Sequence, residues 1–369
     1  MKRFLLFSII LLNSMFSFGI DYSKVDAQSG SVPSNLKTAD EIAKYLTRNL
    51  TSPLEKTRAI YYWISHNISY DMAQINSKNN TYSNPQDLVN DVLLKRKGVC
   101  AHYAELFNAC CRSVGLDSYV IMGYTITDHK IATLAHAWNA VRINSKFYNF
   151  DATWASGSLI NGNFKRYFND QFYLVSPADF IKTHIPFDPI WQFSDNPLTC
   201  KEIETGDFSK LKIHSNFNYT DSIKKFTASG KLEKLIQENR RMIKYGLTNN
   251  LNKDHKVYLQ KAIATERFNE AILFYNKAAE SYNLYVADKN KQFGKKSVDE
   301  QSLKSLLSPV RQQIELAEKT IQAVNPDDAT MISQIQGLEI SIDDMKKSIA
   351  EEDLFWVKYR NRFKTSRII

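Results

Sequence analysis

Lys97-Gly98-Val99-Cys100-Ala101-His102-Tyr103-Ala104-Glu105-Leu106-Phe107 is the stretch on which the reading of this 369-residue chain turns. A glycine stands two residues before a cysteine. Apolar residues then recur at helical spacing, through Tyr103, Ala104 and Phe107 to Cys110 and Cys111. The pattern predicts a loop feeding a buried helix with Cys100 in its first turn. A thiol there faces the positive end of the helix dipole, which favours the thiolate, the form that attacks carbonyls. Gly98 is expected to clear space for a substrate backbone. Alone, the stretch is weak evidence, because a cysteine near a helix start is more often a small buried hydrophobe.

Two later segments change that balance. Leu134-Ala135-His136-Ala137-Trp138-Asn139-Ala140-Val141-Arg142-Ile143 alternates apolar and polar residues, as a strand does, and Asn144-Ser145-Lys146 supplies a turn. Phe147-Tyr148-Asn149-Phe150-Asp151-Ala152-Thr153-Trp154 completes a predicted β-hairpin, with His136 on one strand and Asp151 at the end of its partner. A cysteine at a helix start, a histidine on a strand and a carboxylate on the next are a thiol nucleophile, its base and the base's orienter.

At these residues the chain resembles the transglutaminase-like superfamily. The matching words are Gly98-Val99-Cys100 with Tyr103-Ala104, then His136-Ala137-Trp138-Asn139, then Asp151-Ala152-Thr153-Trp154. Phe172-Tyr173-Leu174, Phe180, His184-Ile185-Pro186 and Asp188-Pro189-Ile190-Trp191-Gln192 further resemble the subgroup of fungal cytokinesis-associated and muscle kyphoscoliosis peptidase-like proteins. The resemblance spans roughly residues 38–195. It implies a papain-like fold and a Cys-His-Asp triad at Cys100, His136 and Asp151. The word Arg58 to Ile64 followed by Ile68-Ser69-Tyr70-Asp71 also recurs in such domains, as a framework helix ahead of the nucleophile. Papain-type proteases carry a Gln a few residues before the nucleophile, and this chain does not. Trp63, Trp138 and Trp154 are weak candidates for substrate or oxyanion contacts, with core packing the simpler role. His102, on the nucleophile helix, and His184, read as structural, have lesser claims.

Upstream, Met1-Lys2-Arg3 precedes an apolar run from Phe4 to Leu12, and small residues stand at Ser17 and Gly19. This reads as an export signal at residues 1–19, too short for a membrane span, leaving a periplasmic or secreted protein with no stable span after cleavage. Removing residues 1–19, which hold Lys2 and Arg3 and no acid, lowers the net charge of +9 by two. A Lys-rich solubilising surface accounts for the remainder, and no arginine-rich stripe argues for nucleic acid. The four cysteines, 100, 110, 111 and 200, are too few for a disulfide scaffold. Cys110 and Cys111 read as inert core, and Cys200 as a loop residue able to pair with one of them. No CxxC pair has metal spacing, so no metal and no cofactor are expected.

Residues 20–37 are expected to be a flexible N-terminal segment. Thr38 with Glu41 forms a capping box, Pro53 opens a helix running to about Asn67, and a short helix spans Gln86 to Leu94. Asp117 to Ile126 reads as a strand, which makes the fold of residues 38–199 α+β: helices packed on an antiparallel sheet. The loop Asn161 to Phe168 is either a cover for the cleft or a plain surface hairpin. Residues 200–369 read as all helical: one helix from Ser222 to Tyr245, a longer one from His255 to Asp288, a break at Gly294 to Ser297, then an antiparallel coiled-coil hairpin at 298–362. Val310, Ile314, Ala317, Ile321 and Val324 step at heptad spacing, and Asn325-Pro326-Asp327-Asp328 caps the second arm. That arm suits a protein partner or self-association. The expected function is an exported cysteine hydrolase or acyl transferase acting on a peptide or protein amide, hydrolysis preferred. The alternative is an inactive binding module or envelope scaffold.

Overall fold

The computed structural model describes residues 21–30, 32–75, 84–128, 130–160, 162–212, 217–293, 298–326 and 329–365. The expected export signal, the break at 294–297 and the acids at 327 and 328 lie outside them. The chain divides into two compact units, Met1–His184 and Ile185–Ile369.

Unit 1 opens with α1 (Ser23–Ser29), α2 (Ala39–Thr47) and α3 (Pro53–Asn67). Thr38 caps α2 reciprocally with Glu41, and Pro53 starts α3 where a missing N–H costs nothing. The stretch expected to be flexible differs, because it carries α1. Arg58, buried in α3, draws Asp26 of that helix into a bidentate pair at 2.7 Å and also binds Asp170. Four rings, Tyr22, Tyr62, Phe168 and Tyr173, lie within 5.6 Å of the same guanidinium. The chain continues through β1 (Ser69–Tyr70), α4 (Met72–Ile75), α5 (Pro85–Lys95), β2 (Lys97–Gly98) and α6 (Cys100–Ser113). β1 and β2 pair in parallel, setting Tyr70 opposite Gly98.

The sheet follows as β3 (Asp117–Thr127), β4 (Lys130–Ile131), β5 (His136–Ile143) and β6 (Lys146–Phe150), ordered β4-β3-β5-β6 and antiparallel. Asn144 and Ser145 both take positive φ, the two-residue turn whose twist matches a hairpin. β5 is buried at every position but Arg142, so its polar residues do not face water as simple alternation implies. After α7 (Ala152–Ser156) come the hairpin β7 (Gly157–Ile160) and β8 (Asn163–Arg166), then α8 (Pro177–Phe180). One apolar core joins Ile42, Leu46, Ile60, Trp63 and Ile64 of the helices to Phe107, Val141 and Phe150.

Unit 2 contains α9 (Cys200–Glu204), α10 (Tyr219–Ala228), α11 (Lys231–Tyr245), α12 (Asn250–Phe293), α13 (Glu300–Gln322) and α14 (Ala329–Thr365). The single helix expected from Ser222 to Tyr245 is two, because the chain is extended at Ser229 and Gly230 before α11 begins. Cys200 is the first residue of α9 rather than a loop residue, and none of the four cysteines is in a disulfide. α13 and α14 form the expected hairpin, but α12 packs with them as a third strand. Its buried positions Ala264, Ala271, Ala278 and Tyr285 recur every seven residues against Leu307, Val310, Ile314 and Ile321. Three alanines on that seam let the helix axes approach closely.

Candidate active site

Cys100 is the first residue of α6 and is half-buried. The helix start is built by His102: its Nδ1 accepts the Val99 N–H at 3.3 Å, as a Glu does in a capping box. Gly98 serves that packing. A Cβ there would sit 2.6 Å from His102 Cβ, so the glycine makes room for the imidazole, not for a substrate backbone. α6 is clipped to the sheet by Asn139, whose Nδ2 donates to Ala104 O at 2.9 Å and Tyr119 O at 3.3 Å.

His136 begins β5, opposite Gly123, and Asp151 follows directly on the end of β6. Their chain separation closes to 2.7 Å between His136 Nε2 and Asp151 Oδ2. Asp151 is 1% exposed and also caps α7, its Oδ1 accepting from the N–H of Thr153 (2.8 Å) and Trp154 (3.1 Å). α3 supports the same turn: Tyr61 Oη donates to Asp151 O and Ser65 Oγ to Ala152 O, each at 3.4 Å. With a carboxylate on Nε2, that nitrogen carries the proton, and Nδ1 is left as the acceptor in the neutral ring.

Burial alone would push the His136 pKa down; Asp151 foremost, and Cys100 to a lesser degree, outweigh it and hold the ring well above the ordinary imidazole range. Asp151 is displaced the other way, below the usual carboxylate range, since the two imidazoles overcome the burial that would raise it. His136 and Asp151 are thus one coupled pair.

A second histidine, His184, read from the sequence as structural, joins the same carboxylate. His184 Nε2 lies 3.2 Å from the same Asp151 Oδ2, and its Nδ1 is 2.8 Å from Thr183 Oγ1. The segment is tied to β3 by the Ile126 N–H on Thr183 O at 2.9 Å. The His184 ring stacks on Phe180 at 4.0 Å and meets Trp154 at 4.6 Å and Trp138 at 5.3 Å. Burial in that box pushes its pKa down to about 4, so it serves Asp151 as a neutral N–H donor. Its signal in the sequence was a lone histidine in an aromatic run, equally the mark of a core residue.

One atom from each of His136, Asp151 and His184 falls within 4.8 Å of the others, the span of a metal-ligand set. Both imidazole nitrogens already aim at one carboxylate oxygen at hydrogen-bonding distance, so the three satisfy one another. A cation would have to displace both ring protons.

Beside His136 opens a cleft of about 430 Å³. Trp154 lines it. Trp138 is buried behind, its indole N–H without a hydrogen-bond partner, and Trp63 lies in the core under the Arg96 guanidinium, 5.2 Å from the ring. Phe164 and Tyr167 place the β7–β8 hairpin in the wall. Two features anchor it. Gly157 has φ +152, and a Cβ there would strike Lys165 O at 2.2 Å. Arg166 donates to Ser65 O and Ile68 O at the end of α3 and to Ser69 Oγ, neutralising the negative end of that helix. Tyr70 also lines the cleft; burial, and then the charges of Cys100 and Asp151, raise its pKa, so it remains a phenol able to donate. Neither Arg166 nor Tyr70 was singled out from the sequence.

Residues 40–152 match the transglutaminase-like superfamily. Human kyphoscoliosis peptidase is 29% identical over 214 residues, 55% of this chain and 32% of that protein. The mouse protein of the same name is 30% identical over 203 residues, 53% of this chain and 30% of its own length. Hillarin of Drosophila melanogaster is 23% identical over 209 residues, 51% of this chain and 25% of its own. The chain therefore spans a third or less of the length of these relatives.

Proposed function

From a chain that belongs to the transglutaminase-like superfamily through its N-terminal unit, we propose an exported cysteine enzyme that opens peptide or protein amides, with hydrolysis its normal outcome. In this reading Cys100 attacks as the thiolate of a Cys100–His136 ion pair, and its sulfur forms a bond to the carbonyl carbon. The carbonyl electrons move to oxygen, where the backbone N–H of Cys100 at the helix start is one donor and the Tyr70 hydroxyl a second. As the C–N bond breaks, the His136 imidazolium hands its proton to the leaving amine. Water, deprotonated by His136, then splits the thioester and restores the thiol. Asp151 fixes the ring tautomer throughout, and His184 fixes Asp151.

The observation that supports this reading is the buried 2.7 Å contact between His136 Nε2 and Asp151 Oδ2, which leaves the other ring nitrogen to accept a thiol proton. Hydrolysis is preferred because an exported enzyme meets water in excess and no dedicated amine site is evident. The export reading rests on Met1-Lys2-Arg3 and the apolar run after it. The test profiles wild type against Cys100→Ala on peptide and cell-wall amides, with and without added amines. Turnover lost in Cys100→Ala supports the enzyme, and amine incorporation moves the reading to transfer. Labelling of all four cysteines at one slow rate by a thiol-directed probe overturns it in favour of a binding module.

A further inference from the structure

We propose that the cleft beside His136 is a subsite for one bulky apolar side chain, aromatic above all, from the interior of an extended peptide. This rests on the enzyme reading for its purpose, though not for its physics. The wall is made by Tyr70, Trp154, Leu159, Phe164, Tyr167 and Phe172. Trp154 meets Phe172 edge-on at 5.2 Å and His184 at 4.6 Å, so this face is held rigid before any ligand arrives. The turn that aims the Asp151 carboxylate also carries Trp154, which ties the subsite to the reacting groups. Aromatic rings offer edge and face to an incoming ring, and about 430 Å³ takes such a side chain with its flanking backbone.

Charge decides what is rejected. None of the described residues lining the cleft is Lys, Arg, Asp or Glu. Arg166, on the wall's own strand, has its guanidinium committed to Ser65, Ile68 and Ser69. The one lining group that carries charge near neutral pH, His136, already faces Asp151 at 2.7 Å, so a charged side chain, a terminal carboxylate or a terminal amine would lose water there and find no uncommitted counter-charge. Besides His136 and Gly157, the remaining lining, Thr127, Thr153, Ser158 and Asn169, is neutral and suits the N–H and C=O groups of a peptide backbone. Leu159 is 45% and Tyr167 51% exposed, an apolar lip that a bound peptide would cover.

The experiment uses the full chain as Cys100→Ala, so that binding is read without turnover. The probes are the capped pentapeptides acetyl-Ala-Ala-X-Ala-Ala-amide with X as Phe, Asp or Lys, followed by calorimetry. The Phe peptide should bind about tenfold or more tighter than either charged one. Leu159→Glu and Tyr167→Ser, both at exposed positions, should each weaken the Phe peptide several-fold. Equal affinity for the three peptides, tighter binding of a charged one, or no binding of the Phe peptide at millimolar concentration overturns the proposal. Wild-type turnover of the same set reads the enzyme separately. Preference without turnover removes the enzyme and leaves the subsite, whereas turnover without preference removes the subsite.

Discussion

Unit 1 brings together polar side chains that are far apart in the chain, whereas unit 2 buries side chains counted off every seven residues. In unit 1, Asp151 is met by His136 from fifteen residues before and His184 from thirty-three after. Asn139 reaches back thirty-five residues to Ala104. In unit 2 the seam is Ala264, Ala271, Ala278 and Tyr285 facing Val310, Ile314 and Ile321, apolar apart from one hydroxyl. That hydroxyl, of Tyr285, accepts from Trp356 Nε1 at 2.9 Å and donates to Glu352 at 2.7 Å. Burying a polar group is tolerated only where its partners are fixed, so unit 1 trades interchangeable packing for a defined constellation. Unit 2 keeps the interchangeable packing.

The contrast breaks most sharply at the nucleophile. Cys100→Ala should lower turnover by about 10³-fold or more while the thermal transition of unit 1 stays in place; His136→Ala should lower turnover as much and also lower that transition, because it strands the buried Asp151 carboxylate. Steady-state kinetics beside calorimetry checks both halves of that statement. The mirror experiment is Ile314→Ala, which should cost unit 2 about 2–5 kcal/mol and leave the alkylation rate of Cys100 unchanged. A change in that rate would mean that the seam reaches the site.

How much of this was legible follows the same division. Heptad steps from Val310 to Val324 are local, so α13 and its hairpin with α14 could be read directly. The third helix of the bundle was harder, because alanine at every seventh residue of α12 carries little hydropathy signal. In unit 1, Cys100, His136 and Asp151 could be picked out because a cysteine, a histidine and a carboxylate stand in recognisable words, and the fold joins the last two. His184 and Arg166 act through contacts thirty-three and about a hundred residues away, which no spacing encodes. Gly98 shows the limit differently. The need for a glycine was visible, but what fills its space, the His102 ring, was not.

Acid should sharpen the comparison next. His184 has a folded pKa near 4 against about 6.5 unfolded, so between those values the unfolded chain holds more protons. Unit 1 should therefore lose stability as pH falls from about 6.5 to 4, by up to about 3 kcal/mol. His136, raised instead, keeps its contribution below about 6.5 and loses it as pH climbs, so these two rings together place the optimum near that value. Denaturation midpoints against pH should trace this, and His184→Asn should flatten the acid limb. The smallest effect belongs to the surface: Lys44→Ala, breaking the exposed 2.9 Å pair with Asp40, should move stability by less than about 0.5 kcal/mol.

Sulfur gives the fold an internal clock. Cys110 and Cys111 are sealed in unit 1 and Cys200 in unit 2, leaving Cys100 alone partly open to solvent. A chromogenic disulfide reagent should consequently count one sulfur in the native chain and four once it is unfolded. Mass mapping of which hidden sulfur reacts first, 110 and 111 or 200, then orders the opening of the two halves without any engineered label.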